Sequence, residues 1–345
     1  MKILVATDAW RPQINGVVST LTALARAVEP RGARIEFLSP EGFPTLSVPG
    51  YASIRVALPR AGAIAQRISA IAPDAIHIAT EGPIGCMVRR YCRASGLPFT
   101  TSFHTRFPDY LSARLPVPDS WVWRWLRRFH GAAETVMTAT PGMMSELEQR
   151  GFRNVVLWPL GVDTQLFRPR QAQLDYPRPI FLTVGRIAVE KNLEAFLSLD
   201  LPGTKVVIGE GPLRADLARQ FPDAVFLGAR EGEELAAIYA AADVFVFPSR
   251  TDTFGLVMLE ALASGVPVAA FPSQAARYVI GAAPVGVMRE DLRAACLRAL
   301  TLSRDACRSY ALQVTWEESA RLFLAHVRRA VPPAPLGHAA RTAYG

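Results

Sequence analysis

The chain has 345 residues, 50% of them hydrophobic, so it is long enough for two folded domains and its composition excludes a mainly disordered protein. It contains no apolar run of the roughly 18 residues that a membrane-spanning helix needs, and its first residues lack the pattern of a signal peptide. The formal charge of +8 lies mainly in the first half: residues 1–168 carry 19 Lys and Arg against 12 Asp and Glu, whereas residues 169–345 carry 19 against 18.

The basic first half indicates either an anionic partner or a charge that serves solubility alone. Nucleic acid is disfavoured as that partner because the sequence contains no recognised nucleic-acid-binding module. The four cysteines have no metal-ligand spacing and need no pairing, so we interpret them as reduced thiols of a cytosolic protein.

In the first half, short apolar runs alternate with amphipathic segments. The runs predict strands at 3–7, 35–38, 75–79, 99–103, 135–139 and 155–157. The segments between them predict helices at 17–28, 84–94 and 142–150. Strands that are apolar on both faces and joined by helices indicate a doubly wound parallel sheet.

The same pattern begins again in the second half. It predicts strands at 180–184, 206–208, 225–227, 244–247 and 266–269, and helices at 190–199, 213–221, 233–241 and 254–264. The irregular, proline-bearing stretch 159–179 between the two patterns is typical of a hinge.

We therefore predict an α/β protein of two Rossmann-like domains, at 1–168 and 169–315. A helix at 316–330 is predicted to return to the first domain, and residues 331–345 are predicted to form a disordered tail. Because ligands bind beyond the carboxyl ends of the strands in such sheets, two facing domains form a cleft in which one can hold a donor and the other an acceptor.

A phosphate-binding loop is one interpretation of the residues after the first strand. Asp8 ends that strand, and Gly16 lies just before a predicted helix, where backbone N–H groups can bind an anion. An ordinary structural turn explains the same residues equally well.

Two cations follow the first strand of the second half. Arg186 comes directly after it, and Lys191, one of three lysines in the chain, lies near the start of the next helix. They can hold a diphosphate, Arg by forked hydrogen bonds and Lys as a point charge. An ordinary solvated loop is the alternative. Gly209 closes the next strand in a turn whose backbone can also approach a nucleotide.

The most specific stretch follows the fourth strand of the second half. Asp252 precedes a helix that begins near Phe254, and backbone N–H groups around Gly255 and Leu256 can face phosphate or sugar oxygens. Glu260 lies two turns into this helix. Two carboxylates eight residues apart can bind two groups of one ligand. The alternative is that Asp252 caps the helix and Glu260 is a surface residue.

These motifs resemble those of the retaining family 4 glycosyltransferases of GT-B fold. The segments that carry the resemblance are 185–192, 209–212 and 252–260, and it extends over the chain to about residue 327. The family hallmark is Glu, seven residues, Glu, and Asp252 stands here at the first position. The resemblance implies that Arg186 and Lys191 bind the donor diphosphate, Glu260 the ribose and Asp252 the donor sugar.

The first half adds three candidates. His104 follows a strand and faces the expected cleft. Family members often have a histidine here that contacts the donor sugar, whereas without the family such a histidine is more often structural. Glu81, which also follows a strand, and Arg106 are predicted to contact the acceptor.

The site residues are assigned from the chemistry of the residues together with the family resemblance. The catalytic residues are His104, Asp252, Arg186 and Lys191. The donor-binding residues are Gly16, Arg186, Lys191, Gly209, Asp252, Phe254, Gly255, Leu256 and Glu260.

No Asp-x-Asp pair of the kind that holds a divalent ion in metal-dependent glycosyltransferases occurs in the sequence. Arg186, Lys191 and helix N-termini are expected to stabilise the leaving group instead. We predict that no metal and no cofactor is required, since the nucleotide-sugar is a substrate. The resemblance implies front-face attack with retention, and no residue is assigned as a covalent nucleophile.

Segments 10–17, 103–108 and 251–255 resemble two groups within the family most closely. One adds sugars such as sulfoquinovose, glucose or glucuronate to diacylglycerol. The other comprises GDP-mannose-dependent α-mannosyltransferases that act on lipids or polysaccharide precursors. The donor sugar and the nucleotide base stay open between them.

A lipid acceptor is favoured by segment 121–130, which reads as a helix. The side chains predicted to share its inward apolar face are Trp121, Val122, Trp125, Leu126 and Phe129. The side chains predicted to lie on the opposite, membrane-contacting face are Trp123, Arg124, Arg127 and Arg128. The alternative is a core helix whose basic face is solvated and whose Trp123 is buried.

The sequence thus predicts a glycosyltransferase that adds sugar to a membrane lipid, located in the cytoplasm at the inner face of the cell membrane. A mannosyltransferase acting on a lipid or polysaccharide precursor is the alternative. A non-catalytic GT-B binding subunit and a sugar-nucleotide epimerase are rivals from other classes, and the motif set disfavours both.

Overall fold

The structure is a computed structural model, and it describes residues 1–13, 15–48, 51–104 and 118–331. In this part of the chain two six-stranded sheets, all of whose strand pairs are parallel, lie in succession along the sequence. The predicted class, two doubly wound parallel-sheet domains, is confirmed.

The first sheet has the strand order β2-β1-β5-β6-β7-β8. Its strands are β1 Lys2–Ala6, β2 Arg34–Leu38, β5 Ala75–Ile78, β6 Thr100–Phe103, β7 Val136–Thr138 and β8 Val155–Leu157. An antiparallel hairpin of β3 Thr45–Val48 and β4 Tyr51–Ala57 stands apart from it. The inner strands β1 and β5 are almost wholly buried, which explains their continuous apolar sequence.

Helices connect these strands. They are α1 Gly16–Val28, α2 Ala61–Ile71, α3 Pro83–Ala94, α4 Asp119–His130 and α5 Pro141–Gln149. In two of these helices the side chain of the N-cap residue itself caps the helix. Asn15 accepts hydrogen bonds from the backbone N–H groups of Val17 and Val18 at the start of α1, and Thr140 accepts one from that of Met143 at the start of α5.

The second sheet repeats the topology with the order β11-β10-β9-β12-β13-β14. Its strands are β9 Ile180–Val184, β10 Thr204–Ile208, β11 Val225–Gly228, β12 Val244–Phe247, β13 Val268–Ala270 and β14 Gly286–Met288. Its helices are α6 Leu193–Leu197, α7 Arg214–Gln220, α8 Gly232–Ala241, α9 Leu256–Ala263, α10 Gln274–Val279, α11 Leu292–Ala299 and α12 Arg304–Ala311.

The chain crosses between the sheets at two points that lie side by side. The backbone N–H of Val162 donates to Val314 O over 3.1 Å. A Cβ atom at Gly161 would lie 2.3 Å from the backbone nitrogen of Trp316, so only glycine permits this approach. The last described helix, α13 Trp316–Arg329, then packs on α1 of the first domain. There the indole of Trp158 donates to Ser319 O over 3.1 Å.

The prediction for the tryptophan-rich helix is wrong in its orientation. Trp123 is 9% exposed and stacks on Phe103, whereas Trp121 and Trp125 are 62% and 43% exposed. The buried stripe of α4 is rotated because it includes His130, whose ring bonds to Thr101 inside the domain. Trp123 therefore does not lie on the outward face.

Arg124, Arg127 and Arg128 are exposed, as predicted. The outward face of α4 thus combines three arginines with Trp121 and Trp125, which are one helical turn apart.

Candidate active site

The second domain brings Lys191 and Asp252 together, although 61 positions separate them in sequence. Nζ of Lys191 lies 2.5 Å from Oδ1 of Asp252, and both side chains are about one quarter exposed. Lys191 ends a short 3₁₀ turn after β9, and Asp252 lies in the loop after β12, the neighbouring strand. The two groups therefore meet at the carboxyl ends of adjacent strands.

Two side-chain donors, each bonded to a backbone oxygen of the other loop, fix these two loops to each other. The Ser249 hydroxyl donates to Glu190 O over 3.2 Å, and the Asn192 amide donates to Pro248 O over 3.2 Å. Asn192 has a left-handed φ of 51°, a conformation that asparagine tolerates better than most residues, and so it reverses the chain directly after Lys191.

Asp252 has a second oxygen with a different environment. Oδ2 is buried and has no hydrogen-bond partner among the described residues. An unpaired buried carboxylate oxygen is costly, so a hydrogen-bond donor from a ligand is the natural partner for this atom.

Arg186 lies in the same loop after β9, five positions before Lys191. Its guanidinium Nη1 is 4.0 Å from Oε1 of Glu190, and its side chain is 26% exposed. Arg186 and Lys191 therefore place two partly exposed cations at the end of β9, each beside a carboxylate, that of Glu190 or Asp252.

Gly209 shapes the adjoining turn. A Cβ atom there would lie 1.9 Å from Gly185 O, and Ile187 N donates to Glu210 O over 3.0 Å. The glycine is therefore required for close packing of the loops after β9 and β10, and the structure gives it this positioning role.

The N-terminus of α9 is open. Gly255 stands at its cap position with φ 82°, and no side chain caps the helix, so Asp252 does not do so. The first N–H groups of a helix have no partner within it, and here those of Leu256 and Val257 are left for a ligand or solvent, whereas Met258 N donates to Gly255 O. Phe254 is 4% exposed and packs against Tyr278, so its side chain belongs to the core.

Glu260 lies on α9 and is partly buried. Tyr239 of α8 donates a hydrogen bond of 2.9 Å to its Oε2. Burial raises the pKa of Glu260 to about 7, an effect that the Tyr239 hydrogen bond opposes. The carboxyl group therefore changes charge near neutral pH.

His104 reaches the second domain from the end of β6. Its backbone oxygen accepts a 2.7 Å hydrogen bond from the hydroxyl of Thr253, the residue after Asp252. Burial, with a further contribution from the charge of His130, lowers the pKa of His104 to about 4, so the ring is neutral at pH 7. The two domains thus touch beside the Lys191–Asp252 pair.

The remaining first-domain candidates lie elsewhere. Glu81 is 4% exposed, and its Oε1 accepts a 3.0 Å hydrogen bond from Nε2 of His130. At Gly16, the side chain of Asn15 already occupies the N–H groups of Val17 and Val18. Arg106, like the tail after residue 331, lies outside the described residues.

The sequence analysis did not single out four residues for the contacts that they make. Asp8 caps helix α3, Ser102 bonds to the rings of His77 and His104, Tyr239 bonds to Glu260, and Thr253 bonds to the backbone of His104. Each of these residues has a contact partner that lies between 21 and 149 positions away in the sequence. Such contacts form only when the chain is folded, so no local sequence pattern predicts them. Only Thr253 could have been suspected from the sequence, because it directly follows the candidate residue Asp252.

Within the described residues, no group of three or more His, Cys, Asp or Glu side chains is placed to hold a metal ion. The same part of the chain contains no helix both long and apolar enough to span a bilayer.

Two family models match the chain, one in each domain. Residues 14–166 match the model described as Glycosyltransferase Family 4, and residues 178–303 match the model described as Glycosyl transferases group 1. Together they cover most of the sequence. The chain therefore belongs to the family 4 glycosyltransferases and has their GT-B architecture of two facing parallel-sheet domains.

Curated relatives include enzymes of both groups that the sequence resembles. A GDP-mannose-dependent alpha-mannosyltransferase of Mycobacterium tuberculosis is 28% identical over 78% of this chain and 79% of its own length. Sulfoquinovosyl transferase SQD2 of Arabidopsis thaliana is 33% identical over 69% of this chain and 49% of its own length. Alpha-monoglucosyldiacylglycerol synthase of Streptococcus pneumoniae is 25% identical over 94% and 83%.

Solved structures share the fold. Sucrose-phosphate synthase from Thermosynechococcus elongatus has a TM-score of 0.78 at 19% identity and covers 95% of this chain and 98% of its own. Anabaena HepE, solved in complex with UDP and glucose, has a TM-score of 0.71 at 14% identity and covers 95% and 99%.

Proposed function

We propose that this family 4 glycosyltransferase transfers a sugar from a nucleoside diphosphate to a membrane lipid such as diacylglycerol, with retained anomeric configuration and without a metal ion. The second domain holds the donor and the first holds the acceptor. The protein acts in the cytoplasm, at the inner face of the cell membrane.

The observation that carries the transfer reaction is the unpaired buried Oδ2 of Asp252 beside Lys191 and the open N-terminus of α9. A diphosphate placed there meets Lys191, Arg186 and the first N–H groups of α9, which together supply positive potential. A sugar hydroxyl of the attached hexose can donate to Oδ2. Glu260, two turns along α9, accepts hydrogen bonds from ribose when it is ionised.

The same charges serve catalysis. Negative charge grows on the diphosphate as the bond to the sugar breaks, so Lys191 and Arg186 stabilise the transition state more than the ground state. The leaving phosphate takes the proton of the acceptor hydroxyl, which attacks from the same face. Neutral His104 contacts the donor sugar from the first domain.

The lipid acceptor is supported by the outward face of α4. Trp121 and Trp125 are exposed one turn apart among Arg124, Arg127 and Arg128. Tryptophan prefers the interface between water and lipid, and arginines bind anionic headgroups. This surface belongs to the basic first domain, and two of the similar enzymes bear names that denote diacylglycerol or sulfoquinovosyl products.

A cavity in the same domain suits an acyl chain. It has a volume of about 580 Å³, is lined mainly by apolar groups such as Leu58, Pro59, Pro83 and Met87, and opens to solvent. Pro83 begins α3 after β5, so the cavity lies at the sheet edge from which His104 also projects.

A donor and acceptor screen tests the function. The purified protein is incubated with UDP-glucose, UDP-sulfoquinovose or GDP-mannose and with diacylglycerol vesicles or soluble glycans, and products are identified by mass spectrometry. We expect a glycolipid from one of these donors. Sugar transfer only to soluble glycans would refute the lipid acceptor, and mannolipid formation would select the mannosyltransferase alternative. Donor binding without turnover would indicate a non-catalytic subunit.

A chelator tests the metal-free site. Turnover is expected to persist in excess EDTA, because Arg186, Lys191 and the α9 N-terminus supply the charge that a divalent ion would otherwise supply. Loss of turnover in EDTA that Mg²⁺ or Mn²⁺ restores would contradict this part of the proposal.

Vesicle co-sedimentation tests the membrane surface. Changing Arg124, Arg127 and Arg128 together to Glu should abolish binding to anionic vesicles at low salt, because each basic side chain contributes about 1 kcal/mol at such a surface. Trp121→Ser with Trp125→Ser should weaken binding at any salt concentration. A matched control changes three exposed arginines of the second domain to Glu: Arg219, Arg289 and Arg298. Equal sedimentation of the α4 variant and this control would refute the docking surface.

A further inference from the structure

A buried row of hydrogen bonds lies beneath His104. Nδ1 of His77 is 2.8 Å from the Thr100 hydroxyl, and Nε2 of His77 is 3.1 Å from the Ser102 hydroxyl. The Ser102 hydroxyl is in turn 2.8 Å from Nε2 of His104. His77, Thr100 and Ser102 are each at most 1% exposed.

The sheet register produces this row. His77 of β5 pairs with Thr100 of β6, and residues two apart on a strand share a face, so Thr100 and Ser102 both lie beside the His77 ring. Phe323 of α13 packs edge-on against His77 at 5.1 Å, and Trp158 packs edge-on at 6.3 Å. The helix that returns from the second domain therefore closes this face.

A single hydroxyl between two imidazole rings couples their tautomers. The Ser102 O–H can donate to only one ring nitrogen, so the other ring must donate N–H to Ser102. When His77 donates through Nε2, Ser102 donates to Nε2 of His104, and His104 must carry its proton on Nδ1. When the direction is reversed, Nδ1 of His104 becomes an acceptor.

The far end of the row lies at the seam between the domains. Among the described residues, Nδ1 of His104 has no hydrogen-bond partner, and the backbone oxygen of His104 accepts the Thr253 hydroxyl. The nitrogen whose proton the row determines therefore belongs to the residue that meets Thr253, the neighbour of Asp252 in sequence.

We propose that Ser102 and His77 are positioning residues, which orient the His104 ring and fix its tautomer so that Nδ1–H is presented to the donor sugar. The sugar contact rests on the proposed function, whereas the coupling of the two tautomers does not. Burial lowers the pKa of the fully buried His77 to about 3 and that of the partly exposed His104 to about 4, so the row consists of neutral imidazoles near pH 7.

Ser102→Ala tests the coupling directly. The change removes the hydroxyl that joins the rings and leaves Nε2 of His104 without its partner. A matched control is Thr101→Val, which removes a hydroxyl from the next position of β6, where Thr101 bonds to Nδ1 of His130 on the opposite face. Thr101→Val loses one buried hydroxyl–imidazole bond and Ser102→Ala loses two, so a somewhat larger loss of stability is expected for Ser102→Ala.

The first readout is the ¹⁵N chemical shifts of the histidine rings, which distinguish the two neutral tautomers. In the parent, His104 is expected to give the signature of one tautomer with Nδ1 protonated. Ser102→Ala should move both His104 nitrogens toward values averaged between tautomers, while Thr101→Val should leave them in place. Unchanged His104 shifts in a folded Ser102→Ala protein would refute the coupling, whether or not any sugar is transferred.

The second readout separates positioning from general destabilisation. Ser102→Ala should lower kcat on the order of tenfold to a hundredfold, because the sugar contact is misplaced, with the Kd for the nucleoside diphosphate unchanged. Equal losses of kcat in Ser102→Ala and Thr101→Val would overturn the positioning role. If Ser102→Ala does not fold, Ser102→Cys, which keeps the size but only a weak donor, is measured with the same expectations.

Discussion

Two helix N-termini occupy equivalent places in the two sheets and have opposite electrostatic environments. Helix α3 follows β5, and α9 follows β12; each of these strands lies beside the first strand of its own sheet, β1 or β9. At α3, the carboxylate of Asp8 from the end of β1 accepts Ile84 N at 2.8 Å and Gly85 N at 3.2 Å. At α9, the corresponding strand end supplies Arg186.

The difference indicates how one topology is used in two ways. In the first domain the protein's own anion satisfies the helix N-terminus, so that end contributes stability and is closed to a phosphate. In the second domain no side chain caps the N-terminus, and the neighbouring loops carry Arg186 and Lys191, each paired with a carboxylate that a diphosphate can displace; the open end favours an anionic ligand at a cost in stability. The donor diphosphate is therefore expected in the second domain alone.

The largest effect is expected from the open end. Lys191→Ala removes a charge that stabilises the leaving group, so it should raise the barrier by roughly 2–4 kcal/mol and lower kcat accordingly. Steady-state kinetics with a folded variant measures this. Lys2→Ala is the control, because Lys2 bonds to Ile71 O far from the site. Unchanged turnover in Lys191→Ala would remove the basis for the comparison.

The closed end should respond in the opposite manner. Asp8→Ala leaves the N–H groups of Ile84 and Gly85 without their acceptor, so the free energy of unfolding should fall by about 2 kcal/mol. Donor nucleotide affinity should not change, since this end of the molecule does not bind it. Denaturant unfolding and calorimetric titration measure the two quantities. Weakened nucleotide binding with stability intact would reverse the assignment of the two helices.

A smaller effect concerns Glu260 at the open end. Its folded-state pKa of about 7 exceeds the ordinary value of 4.5, so the folded protein holds an extra proton between these pH values and loses stability as pH rises through 7. Glu260→Gln should therefore be more stable than the parent at pH 8, on the order of 1 kcal/mol, and should show no such gain at pH 4.

The same substitution sharpens the assignment to ribose. Donor affinity of the parent should fall as pH drops below 7, because the protonated carboxyl accepts ribose hydroxyls less well. The affinity of Glu260→Gln should be lower at pH 8 and nearly independent of pH. A parent whose donor affinity is flat between pH 6 and 8 would argue against a ribose contact at Glu260.

The core strands of the fold could be predicted from sequence because burial on both faces leaves a continuous apolar signal. Strands β9 and β12 were predicted with their observed bounds. The hairpin β3–β4, helix α2, strand β14 and helices α10 to α12 were not predicted. Alanine-rich or mixed segments such as 292–299 carry little periodic contrast, so tertiary packing decides their structure.

The site could be predicted as a set of motifs and only partly as a geometry. The loops carrying Lys191 and Asp252 follow adjacent strands, so topology alone brings them near each other. The sequence could not predict which tryptophans of α4 face outward. Its three tryptophan rings are equally apolar, so more than one face of the helix could form the buried side. The polar His130, which satisfies its hydrogen bonds inside the domain, selects the stripe that the structure adopts.

The packing of α13 on the first domain also affects how the chain folds during its synthesis on the ribosome. The indole N–H of Trp158 cannot form its hydrogen bond until Ser319, which is 161 positions later in the chain, has been synthesised. At synthesis rates of 5–20 residues per second, a ribosome needs on the order of ten seconds to supply it. During that interval the sheet face around His77 and Trp158 is uncovered on the nascent chain. The first domain is thus translated first and completed last, and chaperones have a defined interval in which to shield it.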